Sequence, residues 1–134
     1  MTDRELVMLA ARVRQRAYAP YSRYAVGAAL LAKSGRVYTA CNVENAVYPL
    51  TICAERAAVF KAVSEGEQDF EAIAVVTANA GTPCGSCRQV LAEFGQDIRV
   101  LIATPQEVIA EYTIFELLPG AFGPQDLPPT DHLP

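Results

Sequence analysis

The segment TPCGSCRQV, residues 82–90, carries two of the chain's four cysteines, Cys84 and Cys87. At that spacing a Cys-x-x-Cys pair serves as a redox dithiol, as half of a structural zinc site, or as half of a catalytic one. A third thiol, Cys53 in TICAERAAVF, stands at the expected start of one helix, and Cys84 and Cys87 stand at the expected start of another. Helix N-termini favour thiolates through the dipole and the free amides, and three converging thiolates suit zinc. A structural zinc site closes with a fourth protein ligand. The candidates for that place are poor: His132 is the sole histidine and lies two residues from the end of a proline-rich tail, while Cys41 ends a strand and reads as a small buried apolar residue. Three ligands and one open position make a catalytic zinc, with water as the fourth ligand.

Glu55 gains meaning from that company. It follows Cys53 by two residues, and from a first helical turn its long side chain reaches over the helix end as a proton carrier. Alone, such a glutamate would be a dipole-friendly surface charge. Arg56, three residues from Cys53, shares its helical face. Three thiolates on a divalent ion leave a net negative centre, and hydrogen bonds from Arg56 to sulfur would restore some acidity to bound water.

The elements that must position these groups are legible in outline. Thr2-Asp3-Arg4-Glu5 reads as a capping box, opening a helix that runs at helical spacing to about Ala17. Ala25 to Ala32 and Arg36 to Ala40 read as a β-hairpin turned at Lys33-Ser34-Gly35. Thr51 is the expected N-cap of a helix from Ile52 to Glu65, stopped by Gly66. Glu71 to Thr77 is an apolar strand, a helix from Gly85 to Phe94 closes at Gly95, and strands follow at Ile98 to Ala103 and Val108 to Tyr112. Thr113-x-x-Glu116 is a second capping box. The order α-β-β-α-β-α-β-β-α implies a mostly parallel or mixed sheet covered by helices. The length suits a single domain over residues 1–134, with an irregular tail at 124–134.

Bulk composition narrows the function. The chain is 51% hydrophobic and 19% charged, the balance of a globular protein, and its net charge of −4 without a basic cluster argues against a nucleic-acid partner. No apolar run approaches the ~18–20 residues of a membrane span, and the N-terminus lacks a signal peptide's apolar stretch, so the expected location is the cytoplasm. There, clustered cysteines read as metal ligands or catalytic thiols rather than disulfides.

Cys53-Ala54-Glu55 followed by Pro83-Cys84-Gly85-Ser86-Cys87 resembles the signature of zinc-dependent nucleobase deaminases. YAPYSRYAVGAALLAKSG, CNVENAVYPLTICAERAAVFKAV, PCGSCRQVLAEF and ELLPGAF are similar to the short homotetrameric cytidine deaminases, over most of the chain from Tyr18 to Phe122. The resemblance implies a three-layer α/β/α fold with a five-stranded mixed sheet and one zinc per subunit. It also implies hydrolysis of cytidine and 2′-deoxycytidine to uridine and 2′-deoxyuridine with release of ammonia. Zinc-activated water would attack C4, and Glu55 would carry protons to N3 and to the departing ammonia. The Ala54 amide would bind the base O2, and the Thr82 carbonyl would accept from the 4-amino group. Asn42 and Glu44 would hold the ribose 3′-hydroxyl, a pairing that also follows from what a neutral pentose offers to an amide and a carboxylate. Tyr24, where the family more often has Phe, would pack near the base with a hydroxyl in need of a partner. Tyr48 would lie near a subunit boundary, and Phe122 would complete a neighbouring subunit's pocket.

Three alternatives stand beside this reading. A thioredoxin-like redox protein shares the strand–Cys-x-x-Cys–helix pattern but has no use for Cys53 or Glu55. A zinc-stabilised binding module would recruit Cys41 as fourth ligand. A deaminase of another cytosine-bearing molecule would differ at the sugar end.

Overall fold

The computed structural model describes residues 1–129. Helix α1 (Asp3–Arg14) starts where the sequence places it: the Thr2 hydroxyl accepts from the Glu5 amide at 3.1 Å and the Glu5 carboxylate accepts from the Thr2 amide at 3.3 Å. Strands β1 (Gly27–Ala32) and β2 (Val37–Cys41) form the expected hairpin, turning through Gly35 at φ +95°. Helix α2 (Ala54–Ser64), strand β3 (Phe70–Val76), helix α3 (Gly85–Phe94), strands β4 (Arg99–Ala103) and β5 (Val108–Thr113) and the short helix α4 (Ile114–Leu117) follow. Thr113 and Glu116 close the second capping box. Among the described residues the tail is irregular apart from a 3₁₀ turn at Pro124–Asp126, and His132 lies outside the described residues.

The sheet has the order β2-β1-β3-β4-β5. It is mixed rather than mostly parallel: only β3 and β4 run parallel, and the other three pairings are antiparallel. The hairpins at the two ends reverse the chain, while the α2 crossover carries it past β1 from β2 to β3 in one direction, so β1 opposes both neighbours and only the α3 crossover joins adjacent strands in parallel.

Alternation along the central strands feeds two cores. Ala72, Ala74, Val76 and Leu101 face α1, where Leu6, Val7 and Ala10 are buried. Ile73, Val75, Val100 and Ile102 face the opposite side and pack with Ala54, Ala58 and Val59 of α2 and Leu91 of α3. The fold is therefore a three-layer α/β/α sandwich. The small residues on the α1 side set a close approach: a Cβ on Gly27 would collide with the Ala10 carbonyl oxygen.

One boundary differs from the sequence reading in a way that matters. Thr51 does not cap α2. Its hydroxyl accepts from the Asn45 amide at 3.1 Å, and Ile52 exchanges two backbone hydrogen bonds of 3.0 Å with Val43. The chain stays extended until Cys53, which becomes the N-cap. The same Val43–Ile52 bridge draws Asn42 and Glu44 toward the start of α2.

Candidate active site

Cys53 and Cys84 occupy equivalent places, each the N-cap of its helix and each in extended backbone. Neither side chain caps its own helix, so both sulfurs are free to turn toward each other. Cys53 Sγ lies 3.8 Å from Cys84 Sγ, and Cys84 Sγ lies 3.6 Å from Cys87 Sγ. Among the described residues these three sulfurs form a metal-holding cluster, all within 4.8 Å of one another. Zinc–sulfur bonds of ~2.3 Å at a tetrahedral angle demand sulfur separations of about 3.8 Å, so the donor set fits zinc in both chemistry and size. Cys41, at the end of β2, is outside the cluster.

The electrostatics of the metal-free cluster follow from its neighbours. The Cys53 thiol is pulled down to about 5, first by the hydrogen bond from Cys87 and then by Arg56, against the opposing effect of burial. Cys87 is pushed the other way, because it donates to Cys53 and is buried. Arg56 Nη2 donates to Cys53 Sγ at 3.3 Å, as its helical spacing predicts. Its Nε is buried without a partner among the described residues.

Glu55 is only 5% exposed. Burial pushes its carboxyl up to about 7, with the negative Cys53 adding to the rise. A carboxyl poised there exchanges protons readily near neutrality. It opens onto a cavity of about 290 Å³ lined also by Tyr24, Asn42, Glu44, Cys53, Thr82 and Cys84. The fold thus gathers most of the expected site residues around one hollow. Ala54 is wholly buried at the first position of α2.

At the far end of the hollow the polar groups are pre-set. Asn42 accepts from the Val26 amide at 2.9 Å and donates to the Tyr24 carbonyl at 2.8 Å. Glu44 accepts from the Tyr21 and Ser22 amides at 2.9 and 3.1 Å and from the Ser22 hydroxyl. The Ser22 hydroxyl above all holds its carboxyl below the ordinary range, so Glu44 stays charged.

Two expected residues lie away from this hollow. Tyr48 is 70% exposed and sits against Tyr21, ring centroids 5.9 Å apart, over an adjoining depression. Phe122 is 59% exposed and borders a separate depression beyond the C-terminus of α3. The structure also brings in residues that the sequence did not single out. Arg88 donates to the Pro83 carbonyl at 2.8 Å, the Leu117 carbonyl at 2.8 Å and the Thr82 hydroxyl at 3.0 Å, and so fixes the loop that leads into Cys84. Its place directly after Cys87 was the available signal, but the acceptor at Leu117 is distant in sequence. Ser22 likewise meets Glu44 only in three dimensions.

A family model described as the cytidine and deoxycytidylate deaminase zinc-binding region matches residues 1–104. The chain belongs to this family. A cytidine deaminase of Halalkalibacterium halodurans is 53% identical over 129 residues, covering 93% of this chain and 98% of that protein. One from Sporosarcina psychrophila is 48% identical over 130 residues, covering 95% and 96%. The crystal structure of the Burkholderia pseudomallei cytidine deaminase superposes with a TM-score of 0.87 at 45% identity, covering 91% of this chain and all of that one. Membership in the deaminase family accounts for what a redox dithiol leaves idle: the third thiol, the buried glutamate and the adjoining hollow.

Proposed function

We propose that the protein hydrolyses the 4-amino group of cytidine and 2′-deoxycytidine, giving uridine or 2′-deoxyuridine and ammonia. The observation that carries this is the buried Glu55 opening onto the same hollow as a three-sulfur cluster of zinc dimensions. Zinc held by Cys53, Cys84 and Cys87 supplies a Lewis acid that acidifies a water molecule at neutral pH. Glu55 takes one proton from water and delivers it to N3 of the base as the water oxygen bonds to C4; it then takes the proton of the new C4 hydroxyl and hands it to the 4-amino group as the C4–N bond breaks and ammonia leaves. Arg56 withdraws charge from the sulfurs through its bond to Cys53.

Substrate is held at both ends. The Ala54 amide, at the free N-terminus of α2, donates to the base O2. The Thr82 carbonyl accepts from the 4-amino group. Asn42 and Glu44 take the ribose 3′-hydroxyl, each through donor or acceptor capacity left over from the bonds that orient it. Charged Glu44 favours a neutral nucleoside over a nucleotide or a nucleic acid, which fits the net charge of −4. Tyr24 packs along the base.

The subunits assemble as a homotetramer in which Phe122 enters a neighbour's site and Tyr48 lies at the boundary; their exposure on the isolated chain supports this. Among the described residues no helix is long and apolar enough to cross a membrane, and four unpaired cysteines suit the reducing cytoplasm. The test is turnover of cytidine, cytidine 5′-monophosphate and single-stranded DNA by the purified protein with and without a zinc chelator. Chelator-sensitive turnover fastest on cytidine is expected; faster turnover of the monophosphate or the DNA overturns the substrate assignment.

A further inference from the structure

Tyr24 stands between the two ends of the hollow, and its backbone and side chain are tied to different walls. Its amide donates to the Ser22 hydroxyl at 3.0 Å, and its carbonyl accepts from Asn42 at 2.8 Å. Through Ser22 and Asn42 the backbone is thus fixed to the polar pair at the sugar end. Its hydroxyl reaches the opposite way and donates to Asn79 Oδ1 at 2.6 Å. Asn79 is met from its own loop by the Thr77 hydroxyl at 3.4 Å, and the Thr77 oxygen accepts from the Gly81 amide at 2.9 Å. Four groups, Tyr24, Asn79, Thr77 and Gly81, are therefore linked in one run that ends next to Thr82.

Both loops joined by this bond carry backbone strain at the residue beside it. Among the described residues, Arg23 and Ala80 are the non-glycine residues with positive φ, each at 59°. Such conformations persist when surrounding contacts over-determine them. The fit is also tight: a Cβ on Gly81 would stand 2.6 Å from the Tyr24 hydroxyl oxygen, so glycine there leaves room for the hydroxyl where it bonds Asn79. A phenylalanine at position 24 would pack in the hollow equally well but could not make the bond to Asn79.

We propose that the Tyr24 hydroxyl is a positioning group: through Asn79 it clamps the loop of residues 78–82, and so aims the Thr82 carbonyl at the exocyclic amino group of the base. The proposal rests on the assignment of Thr82 made above. It gives the hydroxyl a task separate from the packing done by the ring. It also predicts where the effect is felt, since only a ligand that carries the 4-amino group gains from an aimed carbonyl.

The experiment compares Tyr24→Phe, Asn79→Ala and the double variant. Steady-state kinetics are measured on cytidine, and inhibition by a ribonucleoside whose pyrimidin-2-one base has hydrogen at C4. Loss of one neutral hydrogen bond corresponds to about a fivefold to tenfold fall in kcat/KM on cytidine. The inhibition constant of the 4-unsubstituted analogue should stay within about twofold, and the double variant should be no worse than either single one, because both changes cut the same link. Equal losses on both ligands, or losses that multiply in the double variant, would overturn the clamp. Amide hydrogen exchange at Gly81 gives a readout independent of turnover, and Tyr24→Phe should accelerate it about fivefold or more. Unchanged exchange refutes the clamp whatever the enzyme turns over. Absence of cytidine turnover by the wild-type protein sinks the substrate assignment instead, and with it the aim attributed to Thr82.

Discussion

The sulfur cluster and the outlying aromatic residues Tyr48 and Phe122 are built on different terms. At the sulfur end, the N-termini of α2 and α3, on one face of the sheet, bring Cys53, Glu55, Arg56, Cys84 and Cys87 together within one chain, with Glu55 and Cys87 buried and Cys84 exposed. At the aromatic rim, Tyr48 and Phe122 project into solvent, and neither lines the hollow. Chemistry that moves protons needs fixed distances and low water content, which rigid helix ends supply. Enclosure of a substrate needs only area, which a neighbouring copy of the chain can lend. The sulfur cluster is accordingly assembled within one chain, while Tyr48 and Phe122 are left exposed.

Ways to break that contrast can be ranked by effect. Cys53→Ala or Cys84→Ala should abolish tight zinc binding and detectable deamination, measured by atomic emission and a spectrophotometric assay. Retention of stoichiometric zinc by either variant would remove the cluster from the mechanism. Next, Glu55→Gln should keep metal and fold yet lose on the order of 10²–10⁴-fold or more in kcat, the range for removing a proton-transfer group. Activity near wild type would mean that another group moves the proton.

The same pair of proteins, stripped of metal, gives a pH test. Burial raises the Glu55 carboxyl to about 7 in the folded chain, against an ordinary value of 4.5. Its contribution to stability is full below the ordinary value and is lost as pH rises through about 7. Relative to Glu55→Gln, the metal-free wild type should therefore lose about 3 kcal/mol between pH 4 and pH 8, read by urea unfolding. Negative Cys53 raises Glu55 and negative Glu55 raises Cys87, so the difference reads Glu55 together with its coupling to the cysteines. A difference that does not vary with pH would refute the raised value.

At the rim, Phe122→Ala should leave zinc content untouched, weaken assembly by sedimentation, and lower kcat/KM by about tenfold, as for truncation of an interface anchor. A loss as large as that of Glu55→Gln would erase the distinction between the sulfur cluster and the outlying aromatics. The smallest effect belongs to Cys41→Ala, expected to keep full zinc and near-normal activity because Cys41 stands outside the cluster.

Much of the fold was legible because its signals are local. The capping boxes at Thr2 and Thr113 and the stop at Gly95 fall where residue type predicts. The start of α2 was misread for a reason that is not local. A threonine before an apolar run is a good N-cap, but the Thr51 hydroxyl is engaged by Asn45, and pairing with Val43 keeps Ile52 extended. Tertiary pairing overrode a capping preference worth about 1 kcal/mol, and moved the helix start onto Cys53, one of the three clustered thiols. The site was legible in its donors, since thiols and a neighbouring carboxyl announce their chemistry by type and spacing. The supports were not legible. Arg88 finds its third acceptor at Leu117, and Tyr24 its partner at Asn79, across separations that no periodicity encodes.

The sequence alone determined which atoms could bind zinc or move a proton, and which stretches would be helix or strand, because side-chain chemistry and backbone preference are properties of single residues and near neighbours. The tertiary structure decided that two helix ends meet, that Glu55 is buried deeply enough to hold its proton near neutrality, and that the Tyr24 hydroxyl is satisfied from a facing loop. Those outcomes depend on distance and exclusion of water, which come into being only when the sheet brings remote segments together.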